Sequence, residues 1–170
     1  MKTVIWFLAT AALILAVLVN IESDPSLISV TQSTILNRYH SDLFQFVLHP
    51  DTVEMWFLWI SHFRSADKRP VGVGKQYQAV YSFPFLGDQV LLFQVKKFVP
   101  DTCLVLESES LFRPRFEVES SPVSRGEQTR LTFRISFRRS SLLFQYTMGP
   151  ILQVLARHYI QNSLTFLHSM

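Results

Sequence analysis

The stretch "TRLTFRISFRR", residues 129–139, limits what this chain can fold into more than any other. Leu131, Phe133, Ile135 and Phe137 alternate with Arg130, Thr132, Arg134, Ser136 and Arg138, so a strand here has one apolar face and one polar, mostly charged face. Such a strand belongs to an antiparallel sheet whose apolar side must be covered. The period then changes. Between Ser141 and His168, Met148, Leu152, Leu155, Tyr159 and Phe166 share one face of a helix, and Ile151, Ile160, Leu164 and Leu167 widen it. Gly149 and Pro150 kink this helix or mark its start.

Upstream segments repeat the two-residue period. Tyr77, Ala79, Tyr81 and Phe83 face one way, and after a turn at Pro84 and Gly87 so do Leu91, Phe93 and Val95 in "DQVLLFQVKKF". "TCLVLES" follows the turn at Pro100 and Asp101, and "RPRFEVESS" sets Phe116 and Val118 against Arg115, Glu117 and Glu119. With "LISVTQSTIL" (27–36), bounded by Pro25 and Asn37, the count is five or six antiparallel strands. Between the first strand and the rest lie two short helices. One carries Leu43, Phe44, Phe46, Val47 and Leu48 behind a Ser41 or Asp42 cap. The other has Asp51 and Glu54 spaced as a capping box and carries Val53, Met55, Trp56 and Trp59. "SADKRPVGVG" (65–74) reads as a loop.

The front of the chain is different. Residues 3–21, "TVIWFLATAALILAVLVNI", contain no charge, enough helix to approach a hydrocarbon core of ~30 Å. Residues 1–23 are thus a signal anchor or a signal peptide, and 24–170 form the one folded domain. The run is longer than an ordinary signal-peptide core, and Ile21 sits badly before a cleavage site at Ser23, which favours the anchor. Lys2 lies on one flank, against Glu22, Asp24 and no basic residue before Arg38 on the other. This puts the amino end in the cytosol and the domain in a lumen or outside the cell, with secretion after cleavage as the alternative.

Composition removes several classes. At 48% hydrophobic and 17% charged the chain is not disordered. A net charge of +3, dispersed along strands, does not mark a nucleic-acid binder. Cys103 is alone, so no internal disulfide or thiolate zinc site forms. "GVGK" (72–75) lacks the first glycine and the final Ser or Thr of a phosphate loop, and His40, His49, His62, His158 and His168 have no metal-ligand spacing. No catalytic residue, metal or cofactor is assigned.

An antiparallel sheet covered by one long C-terminal helix resembles the helix-grip superfamily of START-like lipid-transfer, polyketide-cyclase and pollen-allergen-type proteins, often called SRPBCC. The resemblance is carried by "STILNRYHSDLFQFVLHPDTVEMWFLWI", "RPVGVGKQY", "EQTRLTFRISF" and "GPILQVLARHYIQNSLTFL", and covers residues 27–168. It implies an α+β helix-grip fold, a curved antiparallel sheet wrapped around the long helix, with a cavity for a lipid or sterol between them. The N-terminal apolar segment is a departure from many members, and tells against a freely diffusing shuttle.

The expected cavity residues are Trp56, Trp59, Tyr77, Tyr81, Leu91, Phe93, Phe116, Phe133, Ile135, Phe137, Leu152, Leu155 and Tyr159, with Tyr77, Tyr81 and Tyr159 supplying hydroxyls. The bland counterpart is a filled core and an interaction module, since aromatic side chains dominate cores generally. Trp56 and Trp59 are either a plug or a gate. A cyclase-type enzyme in the same cavity needs an inward ionisable group, for which Glu107 or Glu109, facing an Arg such as Arg113, is the candidate. Arg130, Arg134 and Arg138, with Lys96 on a neighbouring strand, form a basic face open to anionic headgroups.

Overall fold

The computed structural model describes residues 2–22, 24, 28–83, 87–123 and 128–169. Ser23, Pro25, Leu27 and Pro84, used above as a cleavage junction, strand bounds and a turn, lie outside them.

Seven strands form one antiparallel sheet: β1 (Ser29–Leu36), β2 (Ser61–Ser65), β3 (Gln76–Phe83), β4 (Gly87–Val99), β5 (Cys103–Ser108), β6 (Pro114–Val123) and β7 (Gln128–Phe137). Their order is β1-β7-β6-β5-β4-β3-β2. From β2 to β7 each strand pairs with its successor in sequence. β1 closes the far edge by pairing with β7 from Ser29 opposite Ser136 to Leu36 opposite Thr129. The alternation read from the sequence is the observed one: Leu131, Phe133, Ile135 and Phe137 are buried, as are Tyr77, Ala79, Tyr81, Leu91, Phe93 and Val95.

The inner face of the sheet is covered by helices α2 (His40–Leu48), α3 (Pro50–Trp56) and α5 (Met148–Ser169), with a five-residue helix α4 (Leu142–Tyr146) leading into α5. Gly149 and Pro150 mark the start of α5. Its buried seam is Gly149, Leu152, Ala156, Ile160, Ser163, Leu164 and Leu167, while Ile151 and Phe166 are exposed and Leu155 and Tyr159 half-buried. The seam is rotated from the expected one because Gly149, Ala156 and Ser163 let the backbone approach the sheet and α3, a spacing that counting large apolar residues overlooks. At Gly149 an added Cβ would collide with Ile28 Cδ1.

Three local expectations are corrected. Neither short helix has a side-chain cap: His49 and Tyr39 occupy the cap positions, and Pro50, preset in φ, opens α3 where Asp51 was to cap it. α3 ends at Trp56, so Trp59 sits in the turn that follows it. β2 was not foreseen, because Phe63 is its only buried residue and one inward side chain makes no alternation.

The loop from Ala66 to Lys75 is stapled by charge. Lys75 is only 6% exposed, and its ammonium donates to the Asp67 carboxylate at 2.8 Å and to the Asp67 carbonyl at 2.7 Å. The backbone N–H groups of Arg69 and Gln76 also donate to that carboxylate. The Lys75 hydrogen bond, helped by its charge and by those two N–H groups, holds the Asp67 carboxyl below the usual carboxylate range.

The N-terminal helix α1 (Lys2–Asn20) stands off this domain with its side chains largely exposed. It is the one described helix long and apolar enough, over Thr3–Asn20, to cross a membrane. Its last turn is joined to α4: Leu142 N–H donates to the Ile21 carbonyl at 3.0 Å, Ser141 Oγ to the Leu18 carbonyl at 3.4 Å and Gln145 Nε2 to the Asp24 carbonyl at 2.6 Å.

Candidate functional site

Trp59 organises the inner face. Its ring stacks on Tyr159 of α5 and meets Tyr81 of β3 at 5.4 Å, Phe137 of β7 at 5.9 Å and Phe116 of β6 at 6.1 Å. The turn after α3 thus reaches across to three strands and the long helix. Beside it is a cavity of about 170 Å³, lined by Trp59, Tyr81, Gln89, Val90, Leu91, Ser110, Leu111, Phe112, Pro114, Phe116, Phe137 and Leu152. The wall is apolar apart from Tyr81, Gln89 and Ser110, and from the Trp59 Nε1–H, which is buried with no hydrogen-bond partner among the described residues. Exposed Gln89, Val90 and Leu111 frame its mouth.

Of the thirteen expected residues, Trp59, Tyr81, Leu91, Phe116, Phe137 and Leu152 line this cavity. Trp56, Tyr77 and Phe133, again with Phe116, border a second void of about 30 Å³ toward α2 and α3. Phe93 and Ile135 are fully packed beneath, Tyr159 backs Trp59, and Leu155 is half-buried on α5. Trp56 is a plug: it is buried, donates Nε1–H to the Val47 carbonyl at 3.3 Å and meets Phe133 edge-on at 5.6 Å. The turn Ser110–Pro114 was missed as a site. Its signal was present as two apolar residues, Leu111 and Phe112, in a turn bounded by Ser110 and Pro114, where water-facing side chains are the norm.

Burial is the main force on the phenols. It pushes Tyr81 far above the ordinary tyrosine value, with a smaller push from Tyr159, and it raises Tyr77, with Asp67 adding to it. Both are neutral donors at physiological pH.

The candidate acids do not point in. Glu107 lies on the outer face with its carboxylate 3.1 Å from Arg115 and 3.2 Å from Arg138. Glu109 pairs with Arg138 at 2.8 Å and with Arg113 at 3.4 Å, and the Arg138 hydrogen bond holds its carboxyl below the usual range. The outer face is therefore mixed in charge. β4 is separated from β7 by two strands, so Lys96 does not extend the arginine row, and Glu117 stands across from Arg134 in the β6–β7 register. On the same face, Cys103, Glu117 and Glu119 bring one thiol and two carboxylates within 4.8 Å of one another. Burial raises the Cys103 thiol, which keeps it protonated and unreactive.

No protein-family model and no curated protein sequence matches the chain. Solved structures do. A START superfamily protein from Mycobacterium smegmatis superposes with a TM-score of 0.67 at 12% identity, covering 83% of this chain and 94% of that one. A protein from Thermus thermophilus gives 0.65 at 11% identity, covering 83% and 94%. The di-domain ARO/CYC StfQ from the steffimycin biosynthetic pathway gives 0.63 at 9% identity, with 84% of this chain matching 50% of that one, the length of a single domain of the two. The seven-stranded curved sheet, the long C-terminal helix and these superpositions together show that the chain has the START-like, SRPBCC-type helix-grip fold.

Proposed function

We propose that the protein binds a hydrophobic small molecule, a lipid or sterol, in the cavity beside Trp59, and that it does so tethered to a membrane by α1. The observation that carries this reading is the cavity itself, largely apolar, walled by Trp59, Tyr81, Phe116, Phe137 and Leu152, with exposed Gln89, Val90 and Leu111 also in its lining. Its size bears on the ligand. Small-molecule pockets run to about 300–1,000 Å³, whereas an apolar cavity of roughly 150 Å³ holds a single benzene ring. At about 170 Å³ the site takes one end of a long apolar molecule, leaving the other end at the mouth. The Tyr81 hydroxyl and the Trp59 N–H are the donors positioned to orient a polar atom there.

The tether rests on the charge-free run of α1, with the amino end in the cytosol and the domain in a lumen or outside the cell. Presentation of the ligand at that membrane, or its passage to a second one, follows from such an arrangement.

The test is mass spectrometry of organic extracts of the full chain purified from membranes, against a mock purification. A lipid or sterol in stoichiometric amount is the expected result. An extract indistinguishable from the mock, with no rise in melting temperature for any added lipid class, overturns the reading, because a ligand that binds the native state must stabilise it.

A further inference from the structure

The cavity mouth and the end of α1 lie on opposite sides of one turn. Ser110 and Leu111 line the cavity, and the same two residues line a cleft with Val19, Asn20, Glu22, Arg113, Arg139 and Ser141. Among the described residues, the end of α1 is already in contact with the domain. The helix ends at Asn20, and the next carbonyl, that of Ile21, already accepts a hydrogen bond from Leu142. The 18 uncharged residues of Thr3–Asn20 rise about 27 Å, close to the ~30 Å hydrocarbon core, so a spanning α1 has no length to spare. Its final turn then lies at the headgroup level, and whatever is joined to that turn lies there too.

The surface so placed carries several large apolar side chains exposed among its charged ones. Leu111 is 60% exposed at the cavity rim. Tyr146, at the end of α4, and Ile151 and Val154, on the outer side of the α5 turns whose inner side carries Leu152, are exposed as well. Arg113 and Arg139 line the cleft together with Glu22 and Glu109. Arg113 pairs with Glu109 at 3.4 Å and Arg139 donates to the Leu111 carbonyl at 2.9 Å, so the cleft is mixed in charge and it is the apolar side chains that suit a bilayer.

We infer that the cavity mouth is seated on the bilayer that α1 enters, with Leu111, Tyr146, Ile151 and Val154 as its embedded rim, and that an apolar ligand passes between bilayer and cavity without crossing water. This rests on the tethered reading above and deepens it. A mouth in contact with the hydrocarbon also accounts for a cavity that accepts only part of a lipid: the molecule is drawn in by one end while the other stays in the leaflet.

The experiment uses the full chain reconstituted in phosphatidylcholine vesicles, with an environment-sensitive fluorophore on Leu111→Cys or on Val73→Cys. Val73 is 71% exposed on the loop at the opposite end of the sheet, and buried Cys103 stays unlabelled in the folded protein. Lipids carrying a nitroxide in the acyl chain are the quencher, and resistance to alkaline carbonate reports insertion of α1. Several-fold stronger quenching at position 111 than at position 73, in carbonate-resistant protein, is the expected result. Equal quenching at the two positions with α1 inserted overturns the seated mouth and leaves the tether standing. A blue-shifted but unquenched label at position 111 overturns it too, because protein and not lipid then covers the rim. Extraction of the protein by carbonate overturns tether and seating together.

Discussion

Trp59 stacks on Tyr159 with ring centroids 5.7 Å apart and planes 14° from parallel, joining the turn after α3 to the middle of α5. This contact closes one wall of the cavity and couples two elements about a hundred residues apart. Replacing Trp59 with Leu and Tyr159 with Leu, singly and together, should yield a coupling energy of about 0.5–1.5 kcal/mol in a double-mutant cycle of urea unfolding. Additive losses would mean that the two rings are neighbours without energetic contact.

Leu91 projects into the cavity from β4, a position where an aromatic residue suits the strand. Leu91→Phe should fill space that is otherwise empty or occupied by ligand. The expected outcome is an at least fivefold lower ratio of extracted lipid to protein by mass spectrometry, with a melting temperature equal to or above that of the ligand-free wild type. Undiminished lipid in that variant would place the ligand elsewhere.

Gly149 is required by contact with Ile28 and not by backbone angle. Gly149→Ala gains helix propensity yet should cost about 1–3 kcal/mol, because the added methyl displaces Ile28 Cδ1 in a packed core. Ile28→Val removes that atom, so the double variant should recover stability relative to Gly149→Ala in chemical denaturation. A Gly149→Ala protein as stable as wild type would show that β1 and α5 are looser than their packing indicates.

Acid should loosen the Ala66–Lys75 loop. The Asp67 carboxyl titrates below its ordinary 3.8 in the folded chain, so the unfolded chain takes up its proton at higher pH. The stability it contributes is complete above that ordinary value and is lost as pH falls through the lower, folded one. The urea midpoint of wild type should fall more steeply below pH ~4 than that of Asp67→Asn. At neutral pH, Asp67→Asn should be the less stable of the two, since it leaves the buried Lys75 ammonium without its counter-charge.

Base acts on the opposite face of the same logic. Tyr77 and Tyr81 are raised above 10 by burial, so their stabilisation is present below that value and declines as pH rises beyond it. Ultraviolet titration should show these two phenols ionising only with unfolding, and Tyr81→Phe should flatten the alkaline loss of stability. Early, reversible ionisation of all tyrosines would show that Tyr81 is open to water.

Most of the sheet was legible because its strands are long enough to show their period. β7 alternates polar and apolar without a break from Arg130 to Phe137, whereas β2 has one inward side chain and β5 is buried on both faces, which erases the pattern. The α5 seam was misphased since small residues carry no weight in a count of apolar ones, although smallness is what lets the helix sit close. The cavity wall divided along the same line. Residues on regular strands, Tyr81, Leu91, Phe116 and Phe137, were found by parity. Leu111 and Phe112 were not, because a turn has no period to read.

The pairing of β1 with β7 has a consequence for how the chain is made. β1 leaves the ribosome directly after α1, but Ser136, opposite Ser29, is added roughly a hundred residues later, about 5–20 s at ordinary rates of synthesis. The strands β2 to β7 meet as successive hairpins and have no such wait. Throughout that interval β1 is an unpaired strand beside a membrane-seeking helix, the kind of segment that associates with other chains. Its sequence, SVTQSTIL, blunts the hazard: five of eight side chains are hydroxyl or amide groups, so the nascent strand is soluble until the final zippering gives Val30 and Leu36 their cover.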